Sequence, residues 1–377
     1  MVKWEMVRLG DVCELITDGT HQTPEYCDKS IGYPFLSSKN VTKEKIDWDN
    51  IKYIPKELHE TLYKRLSPQF NDILLAKNGT TGIAALVDRD CVFDIYVSLA
   101  LLRPKQIINP PYLLKAINNP YTKRQFQANL KGVGVPNLHL SEIRNTKIPL
   151  PPLPIQKKIA DVLDRAIILI EKRKEQIAKL DVFVKSQFVQ MFGDPVTNPM
   201  GWEVKRLDEI CENLDSQRIP ITSGDRKTGT YPYYGASGII DYIEDFIFDE
   251  DLLLISEDGA NLLARVTPIA FSVSGQIWVN NHAHVLRFDK KATQVYLEYR
   301  INNIDISTYI TGTAQPKLNQ AQLNSFPTPL PPLELQNRFA AFVERVEAQK
   351  AQMKKGLALM ELGYKSLMQK CFNGEMF

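Results

Sequence analysis

At 377 residues, with 44% apolar and 24% charged side chains and a formal net charge of +2, the chain has the composition of a globular protein with two or three domains. No apolar run approaches a membrane span, and the opening MVKWEMVRLGDV lacks the apolar stretch of a signal peptide. Five cysteines without CxxC spacing fit reduced thiols in a cytoplasm, and the small net charge leaves any anion-binding surface to local clustering.

In chain order, the first half opens on WEMVRLGDVCE from Trp4. Loops mixing small, amide and basic residues follow: Gly19-Thr20-His21-Gln22-Thr23, Ser37-Ser38-Lys39-Asn40 and, after the strand-like DILLA, Lys77-Asn78-Gly79-Thr80-Thr81. Asn109-Pro110-Pro111-Tyr112 spells NPPY, with which DNA adenine-N6 methyltransferases hold a flipped base. No glycine-rich loop able to cradle S-adenosylmethionine accompanies it, because NGTTG and FGDP lack the spacing and the strand–helix context. The motif reads instead as a helix start, with Asn109 as N-cap and Pro110 in the first turn. A further loop, Gly132-Val133-Gly134, precedes LPPLPIQ at 150–156.

After LPPLPIQ, apolar residues recur in steps of four and three at Ile159, Leu163, Ala166, Ile170, Ile177, Leu180, Val184 and Met191. A 3.5-residue period predicts the seam of a coiled coil, in a helix of roughly 55 Å at 1.5 Å per residue. Arg173 interrupts the seam as a register-fixing residue, and Ile167, Ile168, Phe183 and Phe188 form an expected exposed apolar strip beside it.

The second half repeats the first. WEVKRLDEICE from Trp202 matches the opening at a shift of 198, and LPPLELQ at 330–336 matches LPPLPIQ at a shift of 180. YLEYRINN from Tyr296 answers YLLKAINN from Tyr112 but follows Thr293-Gln294-Val295, with no NPP before it. The second helix sets Phe339, Val343, Val346, Met353, Leu357, Met360, Tyr364 and Leu367 at matching positions, interrupted by Lys350. Two matching seams predict antiparallel pairing of the helices. The loops diverge on this repeated frame: DILLAKNGTTG answers to DLLLISEDGAN. The other loops of the second half are Ser216-Gln217-Arg218, Tyr233-Tyr234-Gly235-Ala236-Ser237, Gly259-Ala260-Asn261 and Thr311-Gly312-Thr313-Ala314-Gln315.

Catalytic signatures are missing. The five histidines form no HExxH or helical ligand pair, although His282 and His284 alternate in the strand-like IWVNNHAHVLRF. No GxxxxGK[ST] or GxSxG motif occurs. No catalytic residue and no metal ligand is therefore assigned.

The order of globular region, LPPLxxQ helix, globular region and LPPLxxQ helix ending in FNGE resembles the specificity subunit of type I restriction–modification systems. The resemblance covers essentially the whole chain. It is carried by GTHQTPEY, YPFLSSKNV, DILLAKNGTTG and GVGVPNLHL, then by YPYYGASG, VNNHAH and TGTAQPKLN, besides both LPPL phrases. It implies an α+β fold of two tandem α/β target recognition domains joined by two long antiparallel coiled-coil helices, with a pseudo-twofold internal repeat. The expected domains are 1–149 and 197–329 for recognition, and 150–196 and 330–377 for the helical arms. Each recognition domain is expected to read one half of an asymmetric bipartite site in double-stranded DNA, the half-sites about 34 Å apart.

The implied partners are two methyltransferase (modification) subunits and the restriction (nuclease and translocase) subunits, with no membrane. The chain itself is expected to be non-catalytic and to bind no cofactor, S-adenosylmethionine, ATP and Mg belonging to those partners. Candidate phosphate or guanine contacts are Lys77, Arg218, Arg265 and Lys317, and candidate adenine contacts are Asn40, Asn78, Asn261 and Gln315. Thr20, His21, Lys39, Thr80, Tyr234 and Ser237 complete the expected surfaces. The expected helix seam is Ile159, Leu163, Ile170, Ile177, Leu180, Phe339, Val343, Val346, Leu357 and Met360. The alternatives are a scaffold that binds proteins rather than DNA and, on the NPPY motif alone, a DNA adenine methyltransferase.

Overall fold

The computed structural model describes residues 4–79, 81–130, 137–312 and 314–377. The chain forms two compact units, Met1–Lys172 with Leu357–Phe377, and Arg173–Gly356. The two long helices are Leu153–Phe192 and Leu333–Asn373, and each contributes residues to both units.

The central sheet of the first unit carries, in order, Cys13–Asp18, Leu99–Pro104, Ile73–Ala76 and Ala84–Leu86, each antiparallel to its neighbour. In the second unit Glu212–Asn213, Ala283–Arg287, Leu252–Ser256 and Ala270–Val273 repeat that order and those directions. The strand sequences ILLA and LLLIS are apolar without alternation because both faces are covered. Ile73 and Leu75 feed a core shared with the helices, while Leu74 and Ala76 feed a second core. Leu253 and Ile255 divide from Leu252 and Leu254 in the same way. Each fully buried leucine or isoleucine among them contributes about 1.5–3 kcal/mol.

A second sheet covers the other face. In the first unit it is Lys52–Ile54, Tyr33–Leu36 and Asp94–Ile95; in the second it is Gly238–Ile243, Thr228–Gly235, Gln276–Val279 and Phe248–Asp249. Both contain one parallel pair, Phe35 to Asp94 and Tyr233 to Trp278. The first half also carries helices Lys56–Arg65 and Pro120–Ala128.

The LPPLxxQ phrase is a latch. Gln156, almost wholly buried, donates from Nε2 to Pro151 O at 2.8 Å and Ile107 O at 3.1 Å, and accepts the Asn109 N–H at Oε1. Gln336 donates to Pro331 O at 2.6 Å and accepts from the Thr293 hydroxyl. The preceding prolines have no N–H of their own, but their carbonyls need donors, and glutamine supplies them. Tyr112 and Tyr296 add a second tie, each hydroxyl donating at 2.7 Å to Pro149 O and Pro329 O. Asn109 caps the helix Pro110–Asn118 by accepting the Tyr112 N–H. The NPPY tyrosine is thus a fully buried strut, unavailable for stacking on a base.

Within each unit the long helices run antiparallel. Ile159, Ala160 and Leu163 share a core with Met368, Cys371 and Phe372, and Val184, Phe188 and Phe192 share one with Phe339, Val343 and Val346. Ile170 is buried, and Ile177, Leu180, Leu357 and Met360 are half-buried. Lys350, also on the seam, reaches Asp181 of the facing helix at 2.5 Å and Glu347 at 2.7 Å. The expected exposed strip needs correction. Ile168 and Phe183 are exposed, Ile167 is half-buried, and Phe188 is buried, stacked on Tyr296 and edge-on to Phe339. The duplication also extends to the start of each half, where Trp4 Nε1 donates to Cys371 O and Trp202 Nε1 to Phe192 O.

Candidate nucleic-acid interface

In both units, among the described residues, loops singled out by their composition meet at one end of the central sheet, where matching backbone bonds recur. The residue following the central strand, Lys77 or Glu257, donates its N–H to Ser98 O or His282 O. Its carbonyl accepts from Leu138 N or Leu318 N. Isolated bridges join Asn78 to Asn137 and Asp258 to Lys317, again at matching positions.

The first unit places Asp18, Thr20, His21, Ser38, Lys77, Asn78, Tyr96 and Ser98 around this mouth. Lys77 is buried and its ammonium sits 2.5 Å from Asp18. His21 is exposed, with Nε2 3.5 Å from the other oxygen of Asp18. Thr20 pairs with the Tyr96 backbone, and the Ser38 N–H donates to the Ser98 hydroxyl. Lys39 is exposed beside them. Asn40 is turned inward: Oδ1 accepts the Ser37 N–H and Nδ2 donates to Asn50 O, which closes its own turn. Asn78 is half-buried with its Oδ1 unpaired. Thr80, Thr313 and the Gly132-Val133-Gly134 loop lie outside the described residues.

The second unit builds a different chemistry on this frame. Arg218 donates to Glu257 at 2.6 Å and to Ala283 O at 2.7 Å, and Lys317 reaches the other Glu257 oxygen at 3.0 Å. Asp215 accepts the Val285 N–H and meets Nδ1 of the fully buried His284, whose Nε2 faces Leu318 O. Both ring nitrogens of His284 thus lie against oxygen atoms. Burial would raise the Asp215 carboxyl, but the bonds from His284 and Val285 and the charge of Arg218 outweigh it and hold it below its ordinary value. Glu257 follows the same balance: burial pushes it up, and Arg218, Lys317 and His284 bring it lower. Asp215, Glu257 and His284 lie close enough together for a cation. Arg218 and Lys317 already supply the positive charge there, so the cluster reads as an ion-pair network rather than a metal centre.

Tyr234 is half-buried and packs on Phe271, while Tyr233 is a core residue whose hydroxyl bonds to the Ile221 backbone. Ser237 and Gln315 are exposed, and the Ser256 hydroxyl ties the neighbouring Ala236 carbonyl to the mouth. Two expected contacts turn into the fold. Asn261 exchanges two hydrogen bonds with the Thr267 backbone. Arg265 donates to Ile301 O and Ile304 O at the end of the helix Lys291–Asn303, which it caps. Residue types alone leave Asp18, Asp215, Glu257 and Asp258 unremarked and give His282 no role; the signal that finds the acidic residues is the change of charge between aligned positions.

A model of the type I restriction modification DNA specificity domain matches residues 1–180 and again 199–359. A Methanocaldococcus jannaschii protein described as the type I restriction enzyme MjaX specificity subunit is 26% identical over 91% of this chain and 87% of its own length. A Haemophilus influenzae specificity subunit, S.HindORF215P, is 34% identical, over 39% of this chain and 37% of that protein. Among solved structures, a chain from a study of complex assembly and conformational transition in a type I R-M system aligns with TM-score 0.62 at 18% identity, covering 100% of this chain and 99% of that one. The type I restriction–modification S subunit of M. genitalium aligns with TM-score 0.55 at 16% identity, over 98% of this chain and 96% of that one. Among the described residues no helix is long and apolar enough to cross a membrane.

Proposed function

This chain belongs to the type I restriction modification DNA specificity family, and from that premise we propose that each unit reads one half of an asymmetric, bipartite site in double-stranded DNA. The reading is carried by one observation: the same backbone frame presents Asp18, His21, Lys77 and Asn78 in one unit and Arg218, Glu257, Asp258, His282 and Lys317 in the other. A retained frame with altered polar groups suits two readers of different base sequences. Phosphate contacts fall to the exposed Lys39 and to Lys317, which is paired with Glu257 but open to solvent, because Lys77 and Arg218 are shielded within the fold.

In this reading the paired helices set the spacer and dock two methyltransferase subunits, with restriction subunits completing the complex. Adenine methylation and ATP-driven cleavage belong to those partners, along with S-adenosylmethionine, ATP and Mg. The complex works in the cytoplasm, where its DNA is. Methylation-sensitive sequencing of host DNA with and without the gene tests the proposal. Loss of one bipartite adenine mark, with co-purification of methyltransferase subunits, is the expected result. Methylation by the isolated chain would assign it the catalysis instead, and an unchanged methylome would favour a protein scaffold.

A further inference from the structure

His282 is held at three points. Its N–H donates to the buried Asn280 side chain at 2.8 Å, its carbonyl accepts the Glu257 N–H at 2.9 Å, and its Nδ1 lies 2.8 and 3.0 Å from the two Asp258 oxygens. Yet 48% of the side chain is exposed, while Asp258 is 15% exposed. A ring fixed this firmly at one nitrogen presents the other in a set direction, and ligand-binding histidines are oriented in this way. In the neutral tautomer that gives Nδ1–H to the carboxylate, Nε2 carries the lone pair. The equivalent residue of the first unit, Ser98, is buried and its hydroxyl accepts the Ser38 N–H, whereas His282 projects from this position in the second unit.

We propose that His282 is a specificity-determining residue of the second unit, its Nε2 accepting a hydrogen bond from an exocyclic amino group, adenine N6 or cytosine N4, at one base pair of the half-site. Asp258 is its positioning residue. This rests on the DNA-reading function proposed above. A phosphate has only acceptor oxygens and cannot serve the lone pair; nor can the O6 and N7 of guanine. Lys317, held on Glu257 beside the Asp258 backbone, supplies the donor for a neighbouring phosphate.

The test is selection from a pool of random-sequence duplexes by the full chain complexed with its methyltransferase subunits, followed by affinity measurement on the selected duplex. Wild type is expected to enrich a bipartite site. His282→Ala enriches the same site except at one position of one half, where discrimination for an amino-bearing base falls on the order of 10-fold. His282→Gln, which keeps an acceptor, restores part of it, and His282→Lys, a donor only, does not. Asp258→Asn keeps a partner for the ring and leaves the preferred base unchanged with weaker discrimination. Thermal melting identifies any variant that fails to fold, and the Gln and Lys pair then carries the comparison. An H282A complex that selects the wild-type site with wild-type discrimination overturns the proposal, as does equal loss of affinity for every duplex. A wild-type complex that enriches nothing overturns the DNA-reading function itself.

Discussion

Lys77 and Glu257 occupy the same place in the two units, each directly after the central strand with its N–H and carbonyl in equivalent bonds, and they carry opposite charge. Their partners are inverted as well: Asp18 faces Lys77, and Arg218 faces Glu257. One frame thus tolerates either polarity at its mouth, provided that a buried charge is matched. Removing one member strands the other. Lys77→Ala is expected to destabilise the first unit by about 3 kcal/mol, whereas Lys77→Met with Asp18→Asn restores most of that loss. Urea denaturation of the single and double variants measures the difference; additive losses would contradict the pairing.

The glutamine latch predicts a comparable cost. Gln156→Leu leaves Asn109 N–H, Pro151 O and Ile107 O without their partner, and each orphaned buried group costs about 1–3 kcal/mol. A loss of about 3 kcal/mol by chemical denaturation is expected, and Gln156→Glu recovers only the acceptor half of the latch.

Lys350 on the helix seam keeps its proton more firmly than usual: burial works against the charge, but the bonds to Asp181 and Glu347 prevail. A single polar seam residue fixes register at some cost in stability. Lys350→Leu is therefore expected to leave stability unchanged or raise it by about 1 kcal/mol in urea denaturation. A loss above that size would show the ion pair to be a net contributor.

Glu298 supplies a pH signature. Burial raises its carboxyl above the ordinary value, against two hydrogen bonds from Ser272 that favour the charged form and a lowering influence from Lys291, and Glu347 raises it further. The folded protein then binds this proton more tightly than the unfolded chain. The associated stability is fully present below the ordinary carboxylate range and is lost as pH rises through the raised value. Glu298→Gln should accordingly be more stable than wild type at neutral pH and equal to it near about pH 4. A gap that persists unchanged into acid would contradict this assignment.

Periodicity made the duplication and the helix seam legible, because burial every 3.5 residues leaves a mark at each of Ile159, Leu163, Ile170, Phe339, Val343 and Val346. The latch was half legible. Two prolines announce a helix start, but that Gln156 and Gln336 bind the proline carbonyls appears only once the chain is folded. Loop composition pointed to residues at this end of the sheet but not to which of their side chains turn inward. Asn40, Asn261 and Arg265 are polar residues in loops, yet their side chains satisfy backbone groups of their own surroundings. Nothing in a residue's type distinguishes a side chain that faces water from one that faces a carbonyl. His282 was visible as one of two alternating histidines; that His284 is buried against Asp215 and His282 half exposed against Asp258 appears only once the chain is folded.

On the proposed function, the two units read two half-sites independently. Replacing residues 1–145 by the corresponding segment of a relative, then mapping adenine methylation in the host by single-molecule sequencing, tests it most directly. The expected result is a bipartite mark in which one half changes and the other half and the spacer stay as they were. A change in both halves, or a mark that proves to be one continuous palindrome, would contradict it.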